Sequence, residues 1–195
     1  MTLPTRCDQD ALSLDGGTVM LSASVYVVVF RVLHVLGGIA WAGAVFTTVI
    51  FLQPTAKAIG PAAGPFMREL LGARRLIDWV LALAWTTIIA GGFLYWHDLQ
   101  LAGGLGDFLG TSFGLWLTIG AVAALVAVGI GMIATRPALK RSLALGGQIA
   151  QAGDSPPPEL VQELQATQAR SRTLAKWNLG FVALAAFAMS TARYW

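Results

Sequence analysis

The sequence predicts an all-α, polytopic membrane protein: an antiparallel bundle of four transmembrane helices with cytoplasmic helical extensions. Three observations predict it. Of 195 residues, 56% are hydrophobic and only 12% are charged, against roughly 25% charged in an ordinary soluble domain. Mean hydropathy is +0.67. Four apolar stretches, each about 20 residues or longer, match the hydrocarbon thickness of a bilayer. This composition excludes a disordered tail and leaves no room for a soluble catalytic domain. The formal charge of +3 and pI near 9.4 would suggest anionic partners in a soluble protein, but in a membrane chain they report basic cytoplasmic loops. No nucleic-acid partner follows from them.

Residues 1–18 form a polar N-terminal segment in which Arg6 faces Asp8, Asp10 and Asp15, so they lack the basic start of a cleaved signal peptide. Residues 19–195 then make a single four-helix membrane domain. Cys7, the one cysteine, cannot close an internal disulfide and reads as a bystander thiol. The first span is expected over 19–52, stopping at Pro54, where a helix would lose a backbone donor. It is long, and Arg31 within it is expected to snorkel outward from the outer leaflet.

The second span covers 76–96, the third 113–135 and the fourth 174–192, none with an internal proline. Lys57, Arg68, Arg74 and Arg75 lie between the first and second spans, and Arg136, Lys140, Arg141, Arg170, Arg172 and Lys176 between the third and fourth. These loops hold 10 of the 13 Lys and Arg residues, which assigns them to the cytoplasm. The 97–112 connection has Asp98 and Asp107 but no Lys or Arg, and is assigned outside together with both termini. In the third connection, Ser155 followed by Pro156, Pro157 and Pro158 reads as an N-cap and first turn. A helix through Leu160 and Leu164 is expected to run into the fourth span and to pack on an extension of the third through Leu139 and Leu143.

His34 is the sharpest chemical signal, because an ionisable side chain within a span is costly and commonly faces a partner or ligand. Imidazole there can ligate haem iron or copper, shuttle protons, or bond to a neighbouring helix. Gly37, Gly38 and Trp41 follow at i+3, i+4 and i+7 and share its face. The glycines either clear space for a flat macrocycle or let helices pack closely. Arg31, three residues earlier, suits a haem propionate or a lipid phosphate. His97 ends the second span on the same outer side as His34, and the two histidines are the candidate metal ligands. Met189 on the fourth span is a further candidate axial ligand, with packing as the plainer role.

Tyr26, Tyr95, Trp96, Trp116, Tyr194 and Trp195 form an outer aromatic belt, with Trp79 and Trp177 as the inner one. Trp41 and Trp85 lie deeper and either wall a pocket or fill the core. No nucleotide, zinc-protease or nucleophile-elbow motif is present, and Asp78 is the one acid within a predicted span. Scattered methionines, Met20, Met67, Met132 and Met189, support a copper path only thinly.

The stretch from Arg31 through His34, Gly37, Gly38 and Trp41 to Gly43, closing at Gln53-Pro54, resembles the first span of the CopD copper-resistance family. The run Ser112-Phe113-Gly114-Leu115-Trp116-Leu117 resembles that family's entry into its third span. The resemblance implies copper handling at the bacterial inner membrane, with His34 and Trp41 as signature positions. A related family, the HemJ type of protoporphyrinogen oxidase, has a similar His-to-Trp pattern and binds b-type haem. Its second histidine and its lysine are replaced here by Gln53-Pro54 and by Thr118-Ile119-Gly120, a departure that touches the oxidase activity more than haem binding through His34.

Three functions follow as expectations. The first is redox or metal handling, with haem b or copper in the outer half of the bundle. The second is an accessory subunit without catalysis, working with a redox partner or as a homo-oligomer, and the third is a HemJ-like oxidase. A haem requires only one or two imidazoles, which favours it over copper.

Overall fold

The computed structural model describes residues 6–153 and 155–194, with side chains from Val25 onward except Pro61. Residues 1–5 of the polar segment, the Cys7 side chain and Trp195 of the outer belt lie outside the described residues. Among those described, every element is helical. Four helical stretches are long and apolar enough to cross a membrane: Val25–Ile59, Leu76–Leu101, Ser112–Gln151 and Pro158–Tyr194.

The first stretch belongs to α1 (Arg6–Thr47) and continues through a π-helical turn, Thr48–Leu52, into α2 (Gln53–Ile59). The helix therefore passes Pro54 instead of stopping there. Proline lacks an N–H, and its ring clashes with the carbonyl four residues back. In the widened turn the Gln53 amide reaches back five residues to Thr48 O, which resets the hydrogen-bond ladder just ahead of the ring. Gly60, at φ 67°, ends this run. The third stretch repeats the device. After α6 (Ser112–Gly129), a π-helical turn at Ile130–Thr135 precedes Pro137 in α7 (Arg136–Gln151), and the Arg136 amide bonds to Gly131 O.

Between the first two spans, α3 (Gly64–Arg68) and a further π turn at Glu69–Ala73 lead to Arg75, which is left-handed at φ 53°. The second span, α4 (Leu76–Leu101), ends where Gly103 and Gly104 take positive φ. The short α5 (Leu105–Leu109) then inserts Phe108 against Tyr95 and Phe113, with ring centroids 5.2 and 6.1 Å apart. Gly114 is obligatory there, because a Cβ would collide with the Phe108 carbonyl. Thr111 caps α6 by accepting from the Gly114 amide at 3.0 Å. Tyr95 Oη lies 2.9 Å from Thr118 Oγ1, tying α4 to α6.

The fourth span is α8 (Pro158–Thr191). Its cap position is Pro157, not Ser155. A residue that precedes proline is pushed out of the α region, so three consecutive prolines delay the helix until the last of them. α7 packs along the first half of α8, with Leu145 fully buried between them and Arg141 bonded to Glu163 at 2.7 Å.

Packing is strongest within two pairs, α1 with α4 and α6 with α8, and thinner between them. Within a bilayer, helices gain little from excluding water and depend on close packing and interhelical hydrogen bonds. The α6/α8 seam accordingly consists of small residues, including Ala123, Ala127, Ala185 and Ala188, all buried. The pairs meet around Trp41, which is 6% exposed and packed with Ala84, Ala127, Val128, Val182 and Ala185. At one end of the pairs, Arg136 Nη2 bonds to Asp78 Oδ1 at 2.8 Å.

Candidate functional site

His34 lies half-buried on α1 where that helix faces α4. Its Nδ1 is 2.8 Å from the backbone carbonyl oxygen of Thr87. A carbonyl only accepts, so the ring nitrogen donates and Nδ1 carries the proton. In the neutral imidazole this leaves the Nε2 lone pair as the open donor to a metal or a proton. Anchoring one nitrogen on a backbone carbonyl is also how metal-binding histidines are oriented.

Gly91 makes the bond geometrically possible. A Cβ at that position would fall 2.6 Å from His34 Cε1 and 2.7 Å from Nδ1. Only hydrogen on that side of α4 lets the ring lie against the helix and reach the carbonyl one turn below. Thr87 itself is buried, and its hydroxyl donates to Leu83 O at 2.8 Å, so its side chain does not compete for the imidazole.

The glycines on α1 have a different role. A Cβ on Gly37 would meet Thr87 Oγ1 at 2.7 Å, and one on Gly38 would meet Thr87 Cγ2 at 3.6 Å. Gly37 admits Thr87 and lets the two helices approach, a Cβ on Gly38 would make only ordinary contact, and the space beside the imidazole is made by Gly91. Trp41 belongs to the central core cluster. Arg31 is exposed on the turn preceding His34. Along α1 and α4, the rings of Tyr26, Phe30 and Phe93 meet in tilted and edge-on contacts next to the histidine level, Phe30 and Phe93 with centroids 4.6 Å apart.

The remaining predicted ligands are not gathered around His34. His97 lies six residues past Gly91 on α4, about 9 Å of helical rise away, and its Nδ1 is 3.4 Å from Asp98 Oδ1. Met189 packs with its Cγ toward Gly120 in the α6/α8 seam. Among the described residues, no three His, Cys, Asp or Glu side chains come together as a metal-holding group. An open apolar groove on α4, lined by Ile89, Gly92, Phe93 and Trp96, offers no side chain that ligates a metal.

The donor set therefore fits a group that takes one fixed imidazole. Haem b meets that condition, since a single axial nitrogen can hold it. Copper, which takes several soft or imidazole ligands, finds one nitrogen at this level. Sequence reasoning missed Thr87 and Gly91. The second span does carry its own glycine pair, Gly91-Gly92, and in an oppositely directed neighbour such a pair could have been matched to the level of His34.

Comparison of the chain with family models, curated proteins and solved structures finds no match.

Proposed function

We propose that this chain is a CopD-like multi-pass protein of the bacterial inner membrane that holds a b-type haem through His34 and acts in redox or metal handling. The carrying observation is the His34 Nδ1 bond to the Thr87 carbonyl, which leaves Nε2 as a pre-oriented ligand. His34 is the residue that would hold the group, and Arg31, one turn away, supplies a cation for a propionate. When bound, haem supplies one-electron chemistry. The chain's own contribution is to fix the imidazole tautomer, to hold the ring against Gly91, and to set it on an apolar span.

The topology belongs to the same reading. The four spans form an antiparallel bundle, a reading supported for α1 and α4 by the order of contacts: from Phe30 to His34 to Gly37 the numbers rise along α1, while those of their partners Phe93, Gly91 and Thr87 fall along α4. The basic connections face the cytoplasm, and both termini face outward. His34 then lies in the outer half.

The test is an oxidised and reduced absorption spectrum of protein purified in mild detergent, with metal analysis, beside His34→Ala. A Soret band in the wild type that is lost in the variant is the expected result. A colourless protein free of copper would instead support the accessory-subunit reading, in which the same His34–Thr87 bond only joins two helices.

A further inference from the structure

The end of the molecule opposite His34 contains a charge cluster left unbalanced by its own hydrogen bonds. Asp78 holds two guanidinium groups at once. Arg75 donates from Nε to Oδ2 at 3.0 Å, and Arg136 donates from Nε and Nη2 to Oδ1 at 3.1 and 2.8 Å. One carboxylate between two cations leaves a net positive charge. Arg75 gives only its Nε to Asp78, so its terminal nitrogens stay open to an acceptor. Lys140, one turn along α7 from Arg136, is exposed and shares that helix face. Beside the cluster, the Trp79 side chain stands 68% exposed where the α4 span begins. An exposed indole at a span end marks the headgroup level. The two connections at this end, with Lys176 at the start of the fourth span, together carry ten basic residues against four acidic ones, Asp78 of the cluster apart.

We infer that Arg75, Arg136 and Lys140, held in place by Asp78, bind the phosphate of an anionic phospholipid, with Trp79 packed beside its glycerol and upper acyl chains. A phosphodiester presents two charged oxygens that match the forked guanidinium donors, a geometry a halide lacks. Asp78 pre-orders both forks, so little side-chain freedom is lost when the lipid arrives. Depth decides the source of the phosphate. The cluster sits where an apolar span meets water, so a lipid headgroup is delivered at membrane concentration and at the correct height, whereas a soluble anion gains nothing from Trp79. The inference rests on the membrane-spanning reading and is independent of anything bound at His34.

The experiment is native mass spectrometry of the full chain released from nanodiscs made with equal phosphatidylglycerol and phosphatidylcholine. It compares wild type, R75Q/K140Q, K140Q alone, and the control K57Q/R68Q, which removes the same charge elsewhere on this end. Wild type should retain phosphatidylglycerol over phosphatidylcholine, R75Q/K140Q should lose about tenfold of that retention, K140Q should lose a smaller part, and K57Q/R68Q should keep it. Unfolding midpoints in the same detergent check that all four chains fold. Equal loss in both double variants would overturn the inference, because diffuse attraction would then suffice. No preference between the lipids, or displacement of the bound lipid by millimolar glycerophosphate, would overturn it too. A chain that fails to enter nanodiscs at all would overturn the membrane reading with it, and co-elution with the disc scaffold distinguishes that case.

Discussion

The α1/α4 and α6/α8 pairs solve the same problem with different remainders. Each crosses its seam with one side-chain nitrogen bonded to a backbone carbonyl: His34 to Thr87 in the first, and Asn178 Nδ2 to Ala127 O at 2.6 Å in the second. Asn178 is buried. Its target carbonyl sits where α6 passes into the wide turn and is shared with the Ile130 amide, so the amide fills a gap in the ladder. His34 is only half-buried and keeps a second nitrogen. The surroundings differ in the same sense. About 17% of the most apolar stretch of each of the first two spans is buried within the protein, against 33% and 28% for the third and fourth. One seam is more buried and structural, while the other is more exposed and holds the chemically unfinished group.

Substitutions can break that contrast. The largest effect is expected from Gly91→Ala, whose methyl would occupy the place of the imidazole edge. In the haem reading it should strip most of the Soret absorbance. Gly92→Ala, with nothing within 4 Å of the added methyl, should leave the spectrum intact. Equal spectra from the two variants would mean that the ring's seat against α4 is irrelevant to ligation.

Gly120→Ala applies the same insult to the more buried seam, 2.7 Å from Met189 Cγ and 3.3 Å from Ala185 O. Overpacking there should lower unfolding stability in detergent by about 1–3 kcal/mol without altering any spectrum. A spectral change would show that Met189 takes part in ligation. Asn178→Ala should cost less, about 1 kcal/mol, the scale of interhelical hydrogen bonds in membranes. A neutral result in a thermal melt would show that Ile130 alone satisfies the Ala127 carbonyl.

The four spans were legible because twenty consecutive apolar residues have few other uses, and the triple proline announced a new helix; the packing of α7 on α8 was expected through Leu139 and Leu143, whereas the fully buried residue of α7 is Leu145. Boundaries were less legible. Pro54 reads as a stop, yet a widened turn carries the helix past it, and nothing in Thr48–Leu52 advertises that turn. Ser155 resembles a cap, but the backbone restriction imposed by each following proline outweighs its hydroxyl. At the candidate site, His34 stood out because its residue type is rare in a span. Its acceptor did not, since a backbone carbonyl has no identity in the sequence and any residue at position 87 would supply one. Gly91 was hidden for a related reason: its contribution is an absent methyl, visible only once another helix has been laid against it.

Both wide turns, Thr48–Leu52 and Ile130–Thr135, lie against α8, which passes them with its hydrogen-bond ladder unbroken from Pro158 to Thr191. In mechanical terms α8 is a strut and these two turns are joints set beside it. Its 34 residues make a rod of about 51 Å, some 20 Å longer than a bilayer's hydrocarbon core. Bending stiffness between the membrane portion and the projecting hairpin therefore resides in a single element, and the two proline-marked joints are where the rest of the frame can yield around it.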